Sequence, residues 1–294
     1  MDIRAILMGL AFALMWSSAF TSARIIVADA PPLLSLALRF ALSGVVGIGI
    51  AALMGQTMRL SRGQWRATFI FGICQNALYL GLNFVAMQTI SASLASIIAS
   101  SMPLMVAAAG WLVFRERLPR LAIAGLIAGF VGVGLIMGAR VQGGVDAYGI
   151  GLCVLGALAL TVATLAVRGA TTGGNLLMVV GLQMLVGAAC LAVASAVLES
   201  PWTVNWSMPL VLAFLYTTFV PGLLATFVWF TLVDQIGAVR AATFHFLNPF
   251  FGVAIAAVLL GEALGLVDVL GVVVIAGGIL AVQLSKQAPR ILSP

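Results

Sequence analysis

Polar side chains that could bind a small solute recur at helical spacing within apolar stretches of this chain. Gln75, Tyr79 and Asn83 follow one another at four-residue intervals, which places them on one face of a helix. His245 and Asn248, three residues apart, also share a helix face. Amides, a phenol and an imidazole can exchange hydrogen bonds with a solute, and such groups need partners in a membrane. The spacing therefore predicts a polar binding surface among apolar helices.

Two ionisable side chains, Arg39 and His245, lie well inside apolar stretches. Arg39 could bind a carboxylate, or it could extend to the external surface of its membrane. Helical side chains point toward the N-terminal end of their helix, which for this span is the external end. His245 could carry a proton near physiological pH, but we favour a neutral, hydrogen-bonding imidazole. No Asp or Glu falls in the middle of an apolar stretch. This pattern argues against a carboxylate proton relay and against cationic cargo, and it favours a neutral or zwitterionic solute.

Membrane-spanning helices must position these groups. The 294 residues are 63% hydrophobic and 7% charged, with a mean hydropathy of +1.21, which excludes a soluble globular domain. A helix needs ~20 apolar residues to cross the hydrocarbon of a bilayer, so the apolar runs predict an all-α integral membrane protein with ten spans. We expect the spans at residues 4–28, 32–54, 65–87, 91–114, 119–138, 147–168, 175–198, 207–232, 238–260 and 264–285.

Basic residues near the span ends predict the orientation of the chain. With the N-terminus inside, 11 of the 14 Lys and Arg residues fall on cytoplasmic segments, and the exceptions are Arg24, Arg39 and Arg140. Because Lys and Arg are retained on the cytoplasmic side, we expect both termini in the cytoplasm of a bacterial inner membrane. The net charge of +6 then reflects topology and indicates no nucleic-acid partner.

Other partners and cofactors are also excluded by residue type. Lys286 is the only Lys, so the chain has no GxxxxGK[ST] phosphate loop and we expect no nucleotide. The three cysteines lack metal-ligand spacing. We therefore expect neither a metal nor a cofactor.

The chain repeats against itself with an offset of 146 residues. Pro103 aligns with Pro249, Glu116 with Glu262, and Gly125 with Gly271. We predict a first five-helix repeat at residues 1–145 and a second, inverted repeat at residues 146–294, because an odd number of crossings turns the second half upside down. Inverted repeats are typical of alternating-access transporters. One chain supplies both repeats, so we expect a monomer.

Breaks in the spans predict where a solute binds. Pro103 and Pro249 lie near the middle of the fourth and ninth spans, Pro221-Gly222 interrupts the eighth, and the repeat partner of this pair in the third is Gln75-Asn76. Matching breaks in two repeats indicate a site near the bilayer midplane, although a single proline could serve packing alone. Our candidate substrate-binding residues are Trp16, Arg39, Gln75, Asn76, Tyr79, Asn83, Ser100, Trp229, His245 and Asn248, and our candidate hinges are Pro103, Pro221, Gly222 and Pro249.

Several motifs resemble those of the drug/metabolite transporter superfamily, in its ten-span EamA-type branch. They are the run Trp16-Ser17-Ser18-Ala19-Phe20, Arg39, the stretches from Pro103 to Glu116 and from Pro249 to Glu262, and glycine-rich fifth and tenth spans. Within the branch, the chain is most similar to YddG-type exporters of aromatic and neutral amino acids. The resemblance implies a basket of ten helices, with the third, fourth, eighth and ninth spans closest to the cavity and the fifth and tenth peripheral.

These patterns favour a secondary exporter of neutral and aromatic amino acids or related small metabolites, working by alternating access through a midplane cavity. A multidrug exporter of cationic compounds is the main alternative. An intramembrane Ser-His enzyme would need His245 as its base, but no GxSxG motif or midspan acid supports it, so we expect no enzymatic activity. A passive channel would need polar residues along its whole length, whereas here they concentrate at the midplane.

Overall fold

The chain folds into a bundle of long apolar helices. The computed structural model describes residues 2–115, 118–142, 144, 146–166 and 174–287. Within these residues, ten helices are long and apolar enough to cross a membrane, which confirms the predicted fold class. The first to tenth spans are Ile3–Asp29, Pro32–Leu53, Arg62–Ala86, Ala92–Phe114, Arg120–Ala139, Ala147–Ala166, Leu176–Leu198, Met208–Val233, Arg240–Leu260 and Leu266–Ser285. No predicted end differs from these bounds by more than three residues.

Four of the ten spans are irregular near their middle, and they are the four whose sequences predict breaks. The third span contains a π-helix at Gly72–Tyr79 between α-helices Arg62–Phe71 and Leu80–Ala86, and the eighth contains one at Thr218–Leu224 between Met208–Thr217 and Ala225–Ile236. The fourth divides into Ala92–Ser100 and Met102–Phe114, and the ninth into Ala238–Thr243, a 3₁₀ turn at Phe244–Leu247 and Asn248–Leu260. The third and eighth spans thus share one kind of distortion, and the fourth and ninth another.

The prolines explain where three of these breaks fall. Pro103 and Pro249 each stand at the second residue of the helix that follows the break. A proline at the start of a helix loses no hydrogen bond, because the N–H groups there have no intrahelical acceptor. Pro221 lies inside the π-helix of the eighth span. Its ring nitrogen cannot donate, so the regular ladder is interrupted at that point.

Equivalent spans of the two predicted repeats pack closely on each other. In the fifth and tenth spans, a Cβ on Gly125 would lie 2.7 Å from the carbonyl oxygen of Gly278, and a Cβ on Gly278 would lie 2.6 Å from that of Gly125. Likewise, a Cβ on Gly132 would lie 3.2 Å from the carbonyl oxygen of Gly271, and a Cβ on Gly271 would lie 3.4 Å from that of Gly132. Small residues of this kind let membrane helices approach backbone to backbone.

The register of these glycine contacts agrees with an inverted repeat. Because Gly125 aligns with Gly271 and Gly132 with Gly278 in sequence, each contact is the repeat image of the other. A twofold axis in the membrane plane would produce this reciprocal crossing. The division at residues 145 and 146 itself stays a prediction, and Glu116, the repeat partner of Glu262, lies outside the described residues.

The contact between the fifth and tenth spans can be tested with neighbouring glycines. We expect Gly278→Val to lower the unfolding temperature of the detergent-solubilised protein, because its Cβ would also lie 2.8 Å from the backbone nitrogen of Gly129. Overpacking of this kind costs about 1–3 kcal/mol. Gly277→Val is the matched control, since nothing lies within 4 Å of a Cβ at Gly277. Equal unfolding temperatures for the two variants would contradict the close contact.

Candidate functional site

A cavity of about 430 Å³ lies between the spans. Consecutive spans run in opposite directions, so odd-numbered spans begin, and even-numbered spans end, on the side where the chain begins, which we call the N-terminal side. The cavity reaches Gln64 in the first turn of the third span and Leu176 at the start of the seventh, so it extends to the N-terminal side. Its volume falls within the range of small-molecule sites.

Eight spans supply the cavity lining. None of the described residues of the fifth or tenth span contributes, as the family resemblance implied, but the first, second, sixth and seventh spans contribute alongside the four that we expected. Of our candidate site and hinge residues, the cavity wall contains Trp16, Arg39, Gln75, Asn76, Pro221, Gly222, Trp229 and His245. The structure therefore brings polar and aromatic groups from both halves of the chain to one space.

Tyr79 and Asn83 line a separate cavity of about 50 Å³, which lies toward the opposite end of the bundle. The polar surface predicted for the three residues is therefore divided between two cavities along the third span, and Leu80 lines both of them. Asn83 Nδ2 donates to the Tyr79 carbonyl oxygen at 2.7 Å, within its own span.

Two further candidates lie outside both cavities. The hydroxyl of Ser100 donates to the carbonyl oxygen of Ser96 at 2.7 Å, a bond within its own helix that leaves it buried away from the cavity lining. Asn248 is also buried and does not line the cavity, but it is hydrogen-bonded to His245, which does. Among the hinge candidates, Pro103 and Pro249 stand beside helix breaks without lining either cavity.

Four rings from the first, eighth and ninth spans form an aromatic cluster, which consists of Phe12, Trp16, Trp229 and His245. The Phe12 ring centroid lies 4.7 Å from that of Trp229 and 5.7 Å from that of Trp16. His245 meets the Phe12 ring edge-on at 5.3 Å and lies 5.1 Å from Trp229. These separations are typical of stabilising aromatic pairs. The cluster gives the cavity an aromatic wall.

A hydrogen bond within the ninth span joins His245 and Asn248. Asn248 Nδ2 lies 2.9 Å from His245 Nδ1, and the donor and acceptor roles depend on the tautomer of the imidazole. The neutral imidazole that we favoured from the sequence stays a prediction.

Arg39 is buried beside the cavity. Its side chain is 6% exposed, and its guanidinium carbon lies 5.2 Å from the centroid of the Phe40 ring. The alternative in which Arg39 extends to the external surface of its membrane is therefore wrong. Gly222 lies beside this side chain, and a Cβ there would be in ordinary van der Waals contact with Arg39 Nη2, at 3.5 Å. Arg39 Nε has no hydrogen-bond partner among the described residues.

Several lining residues were not predicted. Phe12, Phe40 and Gln183 line the cavity, and the carbonyl oxygen of Gln183 accepts a hydrogen bond of 2.9 Å from Asn76 Nδ2. Gln183 could have been found, because it is the one amide in the apolar seventh span. The two phenylalanines carry no comparable signal, since apolar side chains fill every span.

Carboxylates join spans at the end of the bundle opposite the N-terminal side. Glu199, which follows the seventh span, accepts from the backbone N–H groups of Leu33 and Leu34 at 2.7 and 3.0 Å. Glu262, which follows the ninth, accepts in the same way from Ala92 and Ser93 at 2.7 and 3.0 Å. A carboxylate at a helix N-terminus is favoured by the unpaired N–H groups and by the helix dipole.

Asp29 and Asp146 add further links at this end. The Asp29 carboxylate accepts from the Ser207 hydroxyl at 2.7 Å, which joins the end of the first span to the start of the eighth. Asp146 accepts from the Thr89 hydroxyl at 2.8 Å. This bond contributes most to a lowered pKa of Asp146, and a second hydrogen bond, from the backbone N–H of Tyr148, lowers the pKa further. The opposite end of the bundle is thus held by contacts between both halves of the chain.

Comparisons with known proteins agree with this architecture. The profile of the EamA-like transporter family matches residues 3–138 and again residues 147–284. The uncharacterized transporter YvbV of Bacillus subtilis is 24% identical, over 94% of this chain and 90% of that protein. The probable amino-acid metabolite efflux pump of Salmonella typhimurium is 28% identical, over 90% of this chain and 89% of that protein. The uncharacterized inner membrane transporter YedA of Escherichia coli is 25% identical, over 95% and 91%.

A crystal structure of a protein 23% identical to this chain has the same fold, with a TM-score of 0.67 over 100% of both chains. Ten apolar spans, eight of which line a solute-sized cavity, together with the family match define a multi-pass membrane transporter. The chain belongs to the EamA-like transporter family, which confirms the resemblance stated from its motifs. The narrower likeness to YddG-type exporters stays a prediction.

The link between Glu262 and the fourth span can be tested by its effect on closure. We expect Glu262→Gln to loosen the opposite end, because a charge-assisted hydrogen bond is roughly twice as strong as a neutral one. A cysteine placed at Ala19, which lines the smaller cavity, reports the opening by its rate of maleimide labelling. In a background without the native cysteines, we expect Glu262→Gln to be labelled about tenfold faster than the protein with Glu262. This ratio corresponds to a change of about 1.4 kcal/mol in the free energy of opening.

Glu199→Gln is the matched control for this experiment. It makes the same chemical change, but Glu199 joins the second and seventh spans, where Gly181 and Gly44 are already in backbone contact. We expect its labelling rate to equal that of the protein with Glu199 intact. Labelling that is unchanged by Glu262→Gln would mean that this carboxylate does not hold the end closed.

Proposed function

We propose that the protein is a secondary transporter of a bacterial inner membrane that exports neutral and aromatic amino acids, or related small metabolites, by alternating access. The observation that carries this proposal is the central cavity, in which aromatic and polar groups from both halves meet beside the helix breaks. The name of the Salmonella relative, a probable amino-acid metabolite efflux pump, supports the substrate class. The relative YedA, named an inner membrane transporter, supports the location.

The cavity wall suits an amphipathic neutral solute. The aromatic cluster offers an apolar surface for a side chain, while Gln75, Asn76 and Gln183 offer hydrogen-bonding groups to a polar end. No acidic side chain is present among the described residues that line the cavity. A cationic drug would need such a partner in a low-dielectric site, so the lining favours amino acids over the multidrug alternative.

Charge distribution supports an orientation with both termini in the cytoplasm. On the N-terminal side, the exposed basic residues are Arg4, Arg59, Arg62, Arg66, Arg115, Arg120 and Arg240. The four carboxylates that join spans, Asp29, Asp146, Glu199 and Glu262, lie at the opposite end. By the positive-inside rule, the cavity then extends to the cytoplasm. A cytoplasm-facing cavity is the state in which an exporter takes up its cargo.

Alternating access would use the breaks as bending points. The closely packed pairs, second with seventh and fifth with tenth, would move as units. Pro103, Pro221, Gly222 and Pro249 mark where the fourth, eighth and ninth spans would bend, and the π-helix at Gly72–Tyr79 marks this place in the third. A monomer suffices for this motion, because one chain holds both repeats. A continuous channel is disfavoured by the polar links that join the spans at the opposite end.

Counterflow into proteoliposomes tests the proposed function. Vesicles preloaded with unlabelled phenylalanine should take up labelled phenylalanine and other neutral amino acids saturably, and basic amino acids should not exchange. Exchange of no amino acid, or exchange of cationic compounds instead, would contradict the proposal. Currents through single open channels would also contradict it.

Trp229 gives a sharper form of this test. We expect Trp229→Ala to raise the KM for phenylalanine about tenfold, because loss of the indole removes both apolar contact area and aromatic pairing, together worth about 1–2 kcal/mol. Trp206→Ala is the matched control, since Trp206 is 81% exposed and lies before the eighth span. A KM equal to that of the control would remove Trp229 from the binding site.

A further inference from the structure

Arg39 is a buried cation that the described part of the protein does not neutralise. Its side chain is 6% exposed and its Nε has no hydrogen-bond partner. No acidic residue lines either of the two cavities that it borders. The nearby Phe40 ring compensates only part of the lost hydration. A buried charge is strongly unfavourable without a paired anion, so this position calls for a negatively charged ligand group.

Arg39 also stands where the two cavities meet. It belongs to the wall of the larger cavity on the N-terminal side and to that of the smaller cavity toward the opposite end, together with Trp16, Leu80 and Pro221. Pro221 lies in the π-helix of the eighth span, and the next residue, Gly222, lies beside Arg39 Nη2. A group bound to Arg39 would therefore be in reach of both cavities.

We propose that Arg39 binds the carboxylate of the transported solute and keeps it bound while access changes from one side to the other. This inference rests on the proposed transport function and narrows its substrate class to carboxylates with an apolar side chain. The guanidinium matches a carboxylate with two parallel hydrogen bonds. The aromatic cluster, which lines the same larger cavity, receives the apolar side chain. The solute is thus oriented by its two ends.

Related solutes separate the contribution of each group. In counterflow, phenylalanine and 3-phenylpropionate carry the carboxylate, whereas phenylalaninamide does not. We expect both carboxylates to exchange and the amide to exchange at least tenfold more slowly. Arg39→Gln should exchange both carboxylates at least tenfold more slowly than the protein with Arg39. The exchange rates of Arg39→Lys should lie between those two, because an ammonium keeps the positive charge but lacks the two parallel N–H donors of a guanidinium. Arg120→Gln, at an exposed position outside both cavities, is the control.

Thermal unfolding distinguishes binding from a structural role. If Arg39 serves a ligand, Arg39→Gln removes an uncompensated charge, so the purified variant should unfold at the same temperature as the protein with Arg39 or above it. Phenylalanine should raise the unfolding temperature of the protein with Arg39 and leave that of Arg39→Gln unchanged. A large loss of stability in Arg39→Gln, with ligand stabilisation retained, would overturn the proposal.

The outcomes separate this inference from the proposed function. Exchange of phenylalanine and phenylalaninamide at equal rates would overturn the role of Arg39 and leave the transporter standing. The same holds if Arg39→Gln exchanges phenylalanine with an unchanged KM. No exchange of any solute by the protein with Arg39, together with no ligand effect on its unfolding temperature, would instead contradict the proposed function.

Discussion

Lipid offers no hydrogen-bond partner to the backbone, so a membrane helix can depart from regular geometry only where protein or a water-filled cavity receives the freed groups. This constraint connects the sequence of the protein to its site. The two π-helices, at Gly72–Tyr79 and Thr218–Leu224, both contribute residues to the wall of the central cavity. The 3₁₀ turn at Phe244–Leu247 contributes His245. The irregular backbone and the cavity therefore depend on each other.

The spans differ in how they pack and in whether their helices are interrupted. The fifth and tenth spans meet through glycines with no room for a methyl group at Gly125 or Gly278, and the second and seventh do so at Gly44 and Gly181. Backbones in such contact cannot slide without opening a gap in their packing. The third, fourth, eighth and ninth spans, in contrast, each contain a break. The helix breaks therefore all fall in spans that line the cavity, whereas the helices of these two glycine-packed pairs are uninterrupted.

Most of the fold could be predicted from the sequence, because the bilayer fixes both the length of a span and its apolar character. The positions of the breaks could also be predicted, from three prolines and one polar pair. The division of Gln75, Tyr79 and Asn83 between two cavities could not be predicted, since helical spacing does not show where packed side chains separate one cavity from the next. The place of Arg39 was equally open, because a long side chain can reach either an interface or a cavity from the same backbone position. Tertiary packing decided it, by placing this side chain in the walls of two cavities.

Charge placement then links the site to the state of the bundle. The acidic side chains that join spans at the opposite end are each satisfied by hydrogen bonds from another part of the chain, as Glu262 is by Ala92 and Ser93. At the cavity the situation is reversed, because Arg39 is buried and its Nε has no partner in the described protein. The free energy of this end-closed state is therefore lowered by contacts at the far end and raised by the bare cation at the centre. Binding of the carboxylate proposed above would remove this unfavourable contribution, and it would shift access only to the extent that Arg39 is buried differently in the two end states.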